Sequence, residues 1–256
     1  MGEQIAFITG ATSGLGKATA ELFAQKGVDL ILSGRNQQGL EHLQEKLSEK
    51  VRVQTIVADL ATADGRHSII NALNEQVPNL IINNAGFGLY GRALTYPVEK
   101  QLEILDVNGR AALEITLEAG RTLMSAKKKG VILNVSSAAA FQIMPNMAIY
   151  SATKAFVNQF SQALDFEFKH NGIRVLTICP GMIATRFQSR AGGKNNRRQM
   201  GVMPASFVAE QIWRQIIELD SLRIVDWKYR FLTFLSFFLS KNLIATIVER
   251  NIEKRL

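Results

Sequence analysis

Six short apolar runs, most of them continuous rather than alternating, recur from residue 5 to residue 178 with helix-period stretches between them. They are IAFIT (5–9), VDLILS (28–33), VRVQTIV (51–57), NLIIN (79–83), GVILNV (130–135) and IRVLTI (173–178). A strand that is apolar along its whole length is buried on both faces, as in a parallel sheet covered by helices. The intervening patterns near 14–26, 36–48, 63–76, 98–126 and 150–170 are each long enough for a crossover helix. This alternation predicts an α/β fold, a doubly wound parallel sheet. A further helix near 204–219 and a short strand, RIVDW (223–227), complete it. There is neither an internal repeat nor a Pro/Ser-rich linker, so residues 1–227 are expected to form a single domain, a size that one α/β unit can reach.

Composition narrows the setting. An apolar fraction of 47% excludes a disordered chain. Cys179 is the one cysteine, so no internal disulfide can form, in agreement with a reducing compartment. The N-terminal MGEQIAFITG has neither a basic n-region nor a cleavage site, and Ala6 stands where a myristoylation signal wants Ser or Thr. The chain is therefore expected to be cytoplasmic. Its formal charge is +8, but five bases without an acid lie in 183–203 and seven bases against three acids lie in 221–256. The rest is close to neutral, which argues against nucleic acid as a partner. His42, His67 and His170 have no metal-ligand spacing, and no metal is expected.

Three motifs carry chemistry. Directly after the first strand, Thr9-Gly10-Ala11-Thr12-Ser13-Gly14-Leu15-Gly16 leads into a helical pattern. Glycines there let backbone N–H groups and a helix N-terminus approach a pyrophosphate. Tyr150 and Lys154, in YSATK, stand at i, i+4 on one helix face, and a neighbouring ammonium lowers a phenol's pKa toward catalytic use. Asn134-Val135-Ser136-Ser137 follows the fifth strand at the sheet's carboxyl edge, where such folds place ligands. Either serine also suits a plain strand-end turn.

Together with Asp59, NNAG at 83–86, Asn108 and PGMIAT at 180–185, these motifs in this order resemble the short-chain dehydrogenase/reductase family, over roughly residues 1–220. The neighbourhood is that of bacterial members of unassigned specificity and of hydroxysteroid and fatty-acyl chain reductases. The resemblance implies a Rossmann-type fold and a catalytic tetrad of Asn108, Ser137, Tyr150 and Lys154. Ser137 is preferred to Ser136 because its thirteen-residue separation from Tyr150 matches the family spacing. Tyr150 would exchange the proton, Ser137 would donate to the nascent alkoxide and Asn108 would interrupt its helix to organise a relay water. Lys154 would both tune Tyr150 and hold the nicotinamide ribose. The implied cofactor contacts are Gly10, Ser13, Gly14, Leu15, Gly16, Asp59, Leu60, Asn84, Ala85, Gly86, Pro180, Gly181, Ile183 and Thr185, besides Tyr150 and Lys154. Asp59 is equally suited to cap the following helix.

The family's NAD-dependent members carry an acid at the end of the second strand; here Gly34 fills that slot and Arg35 follows. A guanidinium fork suits a 2′-phosphate, so the expected cofactor is NADP(H). The expected reaction is hydride transfer between the nicotinamide and a carbonyl or secondary alcohol. A non-catalytic NADP(H)-binding sensor or scaffold is the rival, since fold alone does not imply activity. Phe87, Leu89, Tyr90, Phe141, Ile143, Met144, Met182, Phe187, Met200 and Met203 lie in segments that surround the substrate in this family. They favour an apolar substrate. Residues 183–203 fall where the family carries a mobile lid; its bases either steer an anionic substrate or are solvated.

The tail, 228–256, lies outside the resemblance. Its uncharged run 231–240 is too short to span a membrane, so two short amphipathic helices are expected, with Thr233, Ser236 and Ser240 on a polar stripe. The apolar side has four places to go: against its own subunit, over the pocket, into a homo-oligomer interface, or into a membrane interface.

Overall fold

The computed structural model describes residues 4–193, 201–236 and 238–253. Strands β1 (Ile5–Thr9), β2 (Asp29–Gly34), β3 (Val53–Val57), β4 (Leu80–Asn83), β5 (Gly130–Val135), β6 (Ile173–Cys179) and β7 (Leu222–Ile224) form one sheet in the order β3-β2-β1-β4-β5-β6-β7. All six pairings are parallel. Alternate side chains feed two cores: Ala6, Ile8, Leu30, Leu32, Leu176 and Ile178 on one face, Phe7, Ile31 and Val175 on the other. That division accounts for the unbroken apolar runs.

On the first face lie α1 (Gly14–Gln25), α2 (Gln37–Ser48) and α8 (Ala205–Glu218), which bury residues such as Phe23, Leu43 and Ile212. The second face is covered by α3 (Ala63–Gln76), α5 (Ala111–Ser125) and α6 (Ala148–Phe168). The order reverses between β1 and β4, so the crevice outside their carboxyl ends is the expected ligand position for this topology.

Three expectations are corrected. The helical pattern over 98–126 is not one helix but α4 (Val98–Leu105) and α5, joined by a π turn at Asp106–Arg110 that contains Asn108, where the resemblance put an interruption; one inserted residue hardly disturbs a long apolar period. The strand at 223–227 stops at Ile224, because Asp226 takes φ +75° and its carboxylate accepts the Lys228 N–H at 3.0 Å, starting a helix. Asp59 does not cap α3: Thr62 does, accepting from Gly65 N, while Asp59 Oδ1 accepts from Ala61 N.

The tail forms α9 (Trp227–Ser236) and α10 (Lys241–Glu253). Of the lid, the short helix α7 (Phe187–Arg190) and a bridge between Ile183 and Met203 are described. Lys194, Arg197, Arg198 and Met200 lie outside the described residues.

Candidate active site

The glycine-rich turn owes its shape to two kinds of glycine. Gly10 and Gly14 take φ of +66° and +57°, a region costly for other residues. Gly16 is needed for contact, since a Cβ there would lie 2.4 Å from the Gly10 carbonyl oxygen. Ser13 is the N-cap of α1, yet its side chain makes no capping bond, and the first-turn N–H groups of the helix face the crevice as intrinsic orphans. Asn84 ties this turn to the end of β4: its Nδ2 donates to the Thr9 carbonyl at 2.8 Å, and Thr9 Oγ1 accepts from Asn84 N and Ala85 N, both at 3.0 Å.

At the end of β5 the two serines diverge. Ser136 Oγ points inward and donates to the Lys154 carbonyl at 2.8 Å. Ser137 Oγ accepts from Ala139 N at 3.1 Å and is hydrogen-bonded to Tyr150. Withdrawal from water pushes the Tyr150 hydroxyl up to about 12, against the lowering effect of Ser137. Burial lowers Lys154 to about 8. Its Nζ donates to the Val135 carbonyl at 2.8 Å and stands 5.9 Å from the centre of the Tyr150 ring. The expectation that Lys154 depresses the tyrosine is therefore not met: desolvation of the phenol dominates, and the ammonium has no resolved part in its shift. Burial likewise pushes the neighbouring Cys179 thiol up to about 12, which keeps it protonated.

One cavity of about 1030 Å³ takes in nearly every predicted residue. Gly10, Ser13, Gly14, Leu15, Arg35, Asp59, Leu60, Asn84, Ala85, Gly86, Pro180, Gly181, Ile183 and Thr185 line it with Ser137, Tyr150 and Lys154. Gly16 and Asn108 do not. Gly16 packs behind the turn, and Asn108 is buried in the π turn, where its amide accepts from Phe87 N at 3.0 Å and donates to the Phe87 carbonyl at 2.8 Å. A second donation reaches Thr153 Oγ1 at 3.2 Å, so Asn108 fixes the chain beside Gly86 rather than touching the cavity. At one end Arg35 and Asp59 pair across the rim at 3.6 Å. The other end is apolar: Phe87, Tyr90, Met144, Met147, Phe187, Val248 and Ile252. Leu89 lines a separate small recess, Phe141 and Ile143 stay off the cavity and Met203 joins the core beside the sheet.

The cavity also takes in Gln142, which no motif named, Arg190 of the lid, and Tyr229, Val248 and Asn251 of the tail, for which a place over the pocket was one of four expectations. Tyr229 packs onto Gly181 so closely that a Cβ there would lie 1.9 Å from its ring, and its hydroxyl accepts from Met182 N at 3.3 Å. No spacing rule reaches from the tail to the sheet edge.

A family model described as short chain dehydrogenase matches residues 4–196. The chain belongs to the short-chain dehydrogenases. Sulfoacetaldehyde reductase 2 of Chromohalobacter salexigens is 36% identical over 193 residues, 74% of this chain and 77% of that protein. A short-chain dehydrogenase from Sphingobium yanoikuyae, solved in complex with NADPH, superimposes with a TM-score of 0.83 at 28% identity, over 91% of this chain and 92% of that one. A bulky-bulky ketone specific alcohol dehydrogenase from Comamonas testosteroni gives a TM-score of 0.78 at 27% identity, over 87% and 86%. This short-chain dehydrogenase is accordingly an oxidoreductase that uses a nicotinamide cofactor and a small-molecule substrate.

Proposed function

We propose that this short-chain dehydrogenase is an NADP(H)-dependent carbonyl reductase, reversible as a secondary alcohol dehydrogenase, with Tyr150 as its general acid and base and an apolar substrate. The observation that carries the reading is the meeting of the Ser137-bonded Tyr150 hydroxyl, Lys154 and the glycine-rich turn in one cavity. The residues present fit a dinucleotide phosphate: five bases line the cavity against one acid, Asp59, and a Cβ at Gly10 would press within 2.9 Å of Ala85. Gly34 is buried against Thr12 and puts no carboxylate of its own in the slot where one would repel a 2′-phosphate, and Arg35 stands next to it. The NADPH complex of the similar Sphingobium protein supports the same choice.

In this reading Ser13, Gly14 and Leu15 hold the pyrophosphate, Arg35 the 2′-phosphate, and Asp59, Leu60, Asn84, Ala85 and Gly86 the adenosine side. Pro180, Gly181, Ile183 and Thr185 would embrace the carboxamide, and Lys154 would hold the nicotinamide ribose. A nicotinamide bound there would supply the chemistry of hydride donation or acceptance. Tyr150, protonated at neutral pH by its raised pKa, gives its proton to the carbonyl oxygen as negative charge develops there, and Ser137 donates a hydrogen bond to the same oxygen. Asn108 positions Phe87 and the π turn behind Lys154.

The apolar far wall favours an aliphatic or ring-shaped ketone, as the ketone-specific neighbour does, over a small sulfonated aldehyde of the kind named for the Chromohalobacter protein. Exposed Val98, Leu102, Leu105 and Phe156 on α4 and α6 provide a homo-oligomer face, and the tail provides a peripheral membrane contact. The test is Tyr150→Phe, which should lower NADPH-dependent ketone reduction by roughly 10²–10⁴-fold while NADPH binding stays within a few-fold. Undiminished turnover would refute the tyrosine's role; a wild type that binds NADPH yet reduces no carbonyl would favour the sensor or scaffold.

A further inference from the structure

We infer that Arg190, on α7, is an anion ligand of the dinucleotide site, reaching the pyrophosphate position from the side opposite the glycine-rich turn. The inference rests on the cofactor reading above and adds a residue that no motif contains. Arg190 Nη1 donates to Ser13 Oγ at 3.2 Å, across 177 positions of sequence. Ser13 is the N-cap of α1, and α1 has no acid in its first turn. A guanidinium therefore faces the positive end of a helix dipole, an arrangement that like charge disfavours unless an anion lies between them. Among the described residues no carboxylate pairs with Arg190. Arg186, one turn earlier, lines the same cavity, so the local field is more positive still.

The root of α7 is held close to the turn it would serve. Thr185 Cγ2 lies 3.0 Å from where a Cβ on Gly14 would sit, and Thr185 Oγ1 accepts from Phe187 N at 3.2 Å. A planar guanidinium fork matches a phosphate oxygen pair. Arg35 sits at the other end, beside Asp59, and the two arginines therefore read different phosphates. Arg190 serves the pyrophosphate that NADH and NADPH share, whereas Arg35 serves the phosphate that only NADPH has. The same four-residue helix carries Phe187, whose ring centre is 5.4 Å from that of Tyr150. Anion capture at Arg190 thereby also steadies the aromatic wall over the proton donor.

The experiment measures binding to the full-length protein by nicotinamide fluorescence for NADPH and NADH and by calorimetry for adenosine 2′-monophosphate, which lacks the pyrophosphate. Arg190→Met should weaken NADPH and NADH by the same factor, roughly ten- to a hundredfold, and leave the nucleotide monophosphate within twofold. Arg35→Ala should weaken NADPH and the monophosphate and spare NADH. Arg190→Lys should recover part of the loss, and because Arg190 is exposed the melting temperature should not move. Tight wild-type binding left unchanged by Arg190→Met, or a loss confined to NADPH, overturns the assignment. A wild type that binds neither dinucleotide overturns instead the cofactor reading beneath it.

Discussion

Lys154 is a cation held where water barely reaches, and its stability ledger runs against its use. Its folded pKa of about 8 lies below the ordinary 10.5, so the unfolded chain binds the proton more tightly. The penalty is fully present below pH 8 and is relieved as pH rises from 8 through 10.5. A shift of this size corresponds to roughly 3 kcal/mol, partly offset by about 1 kcal/mol from the Val135 hydrogen bond. Lys154→Met should therefore melt a few degrees above wild type at pH 7 without cofactor, with the gap closing toward pH 10, while NADPH-dependent ketone reduction collapses. A variant less stable than wild type at pH 7 would show that the ammonium's contacts outweigh its desolvation. The Tyr-x3-Lys pair was legible because i, i+4 spacing decides a helix face, and its direction of pKa shift was not, because burial belongs to the assembled fold. Arg35 follows the same logic. Gly34 is readable as a missing acid, and Arg35→Ala should lose roughly 1–3 kcal/mol of NADPH binding in kinetics that leave NADH unchanged.

At the scale of elements, the inner strands stood out because a parallel sheet writes its double burial into consecutive residues, whereas β3, at the sheet edge, is only partly buried. The π turn at Asp106–Arg110 left no mark on the apolar period, since α4 and α5 together keep an apolar face through 98–126; only the family resemblance, through Asn108, pointed to an interruption there. The tail forms the two short helices expected, with part of its polar stripe turned inward. Thr233 of the polar stripe is 6% exposed although Ser240 is exposed, and Phe231 and Phe234 are 57% and 62% exposed. The cause is α9's docking through Tyr229, which sets the side of the helix one turn around from Thr233 against Gly181 and Met182. From α10, Val248 and Ile252 pack with Tyr90, Met147 and Phe187 around Tyr150. Deleting 227–256 opens that wall. KM for a bulky apolar ketone should rise at least about tenfold, the loss expected when a large side chain leaves a pocket, with NADPH binding within a few-fold. An unchanged KM would mean that the tail helices do not shape the substrate site.

Over the whole molecule, the tail's outer face is the surface that the fold leaves unexplained. Trp227, Phe231 and Phe234 follow one another at helical spacing on α9, Phe238 stacks on Phe234 just beyond it, and the four are 57–72% exposed, while α10 exposes Leu243 and Ile247. Isolated exposed apolar residues are ordinary, but a continuous aromatic stripe marks an interaction surface. Between residues 227 and 248 the chain has Lys228, Arg230 and Lys241 and no acid, a charge pattern complementary to anionic headgroups around an aromatic stripe. Among the described residues no helix is long and apolar enough to cross a membrane, so contact would be peripheral. The opposite sides of the same helices line the cavity's apolar end through Tyr229, Val248 and Ile252, which would bring a lipid-soluble ketone close to its pocket. The protein should sediment with phosphatidylcholine vesicles that contain phosphatidylglycerol, less so without it, and salt should release part of it. Combined Trp227→Ser, Phe231→Ser and Phe234→Ser should abolish sedimentation and spare reduction of a soluble ketone. If the wild type ignores both vesicles and the triple variant falls in oligomeric mass, the stripe is a subunit interface and the membrane reading fails.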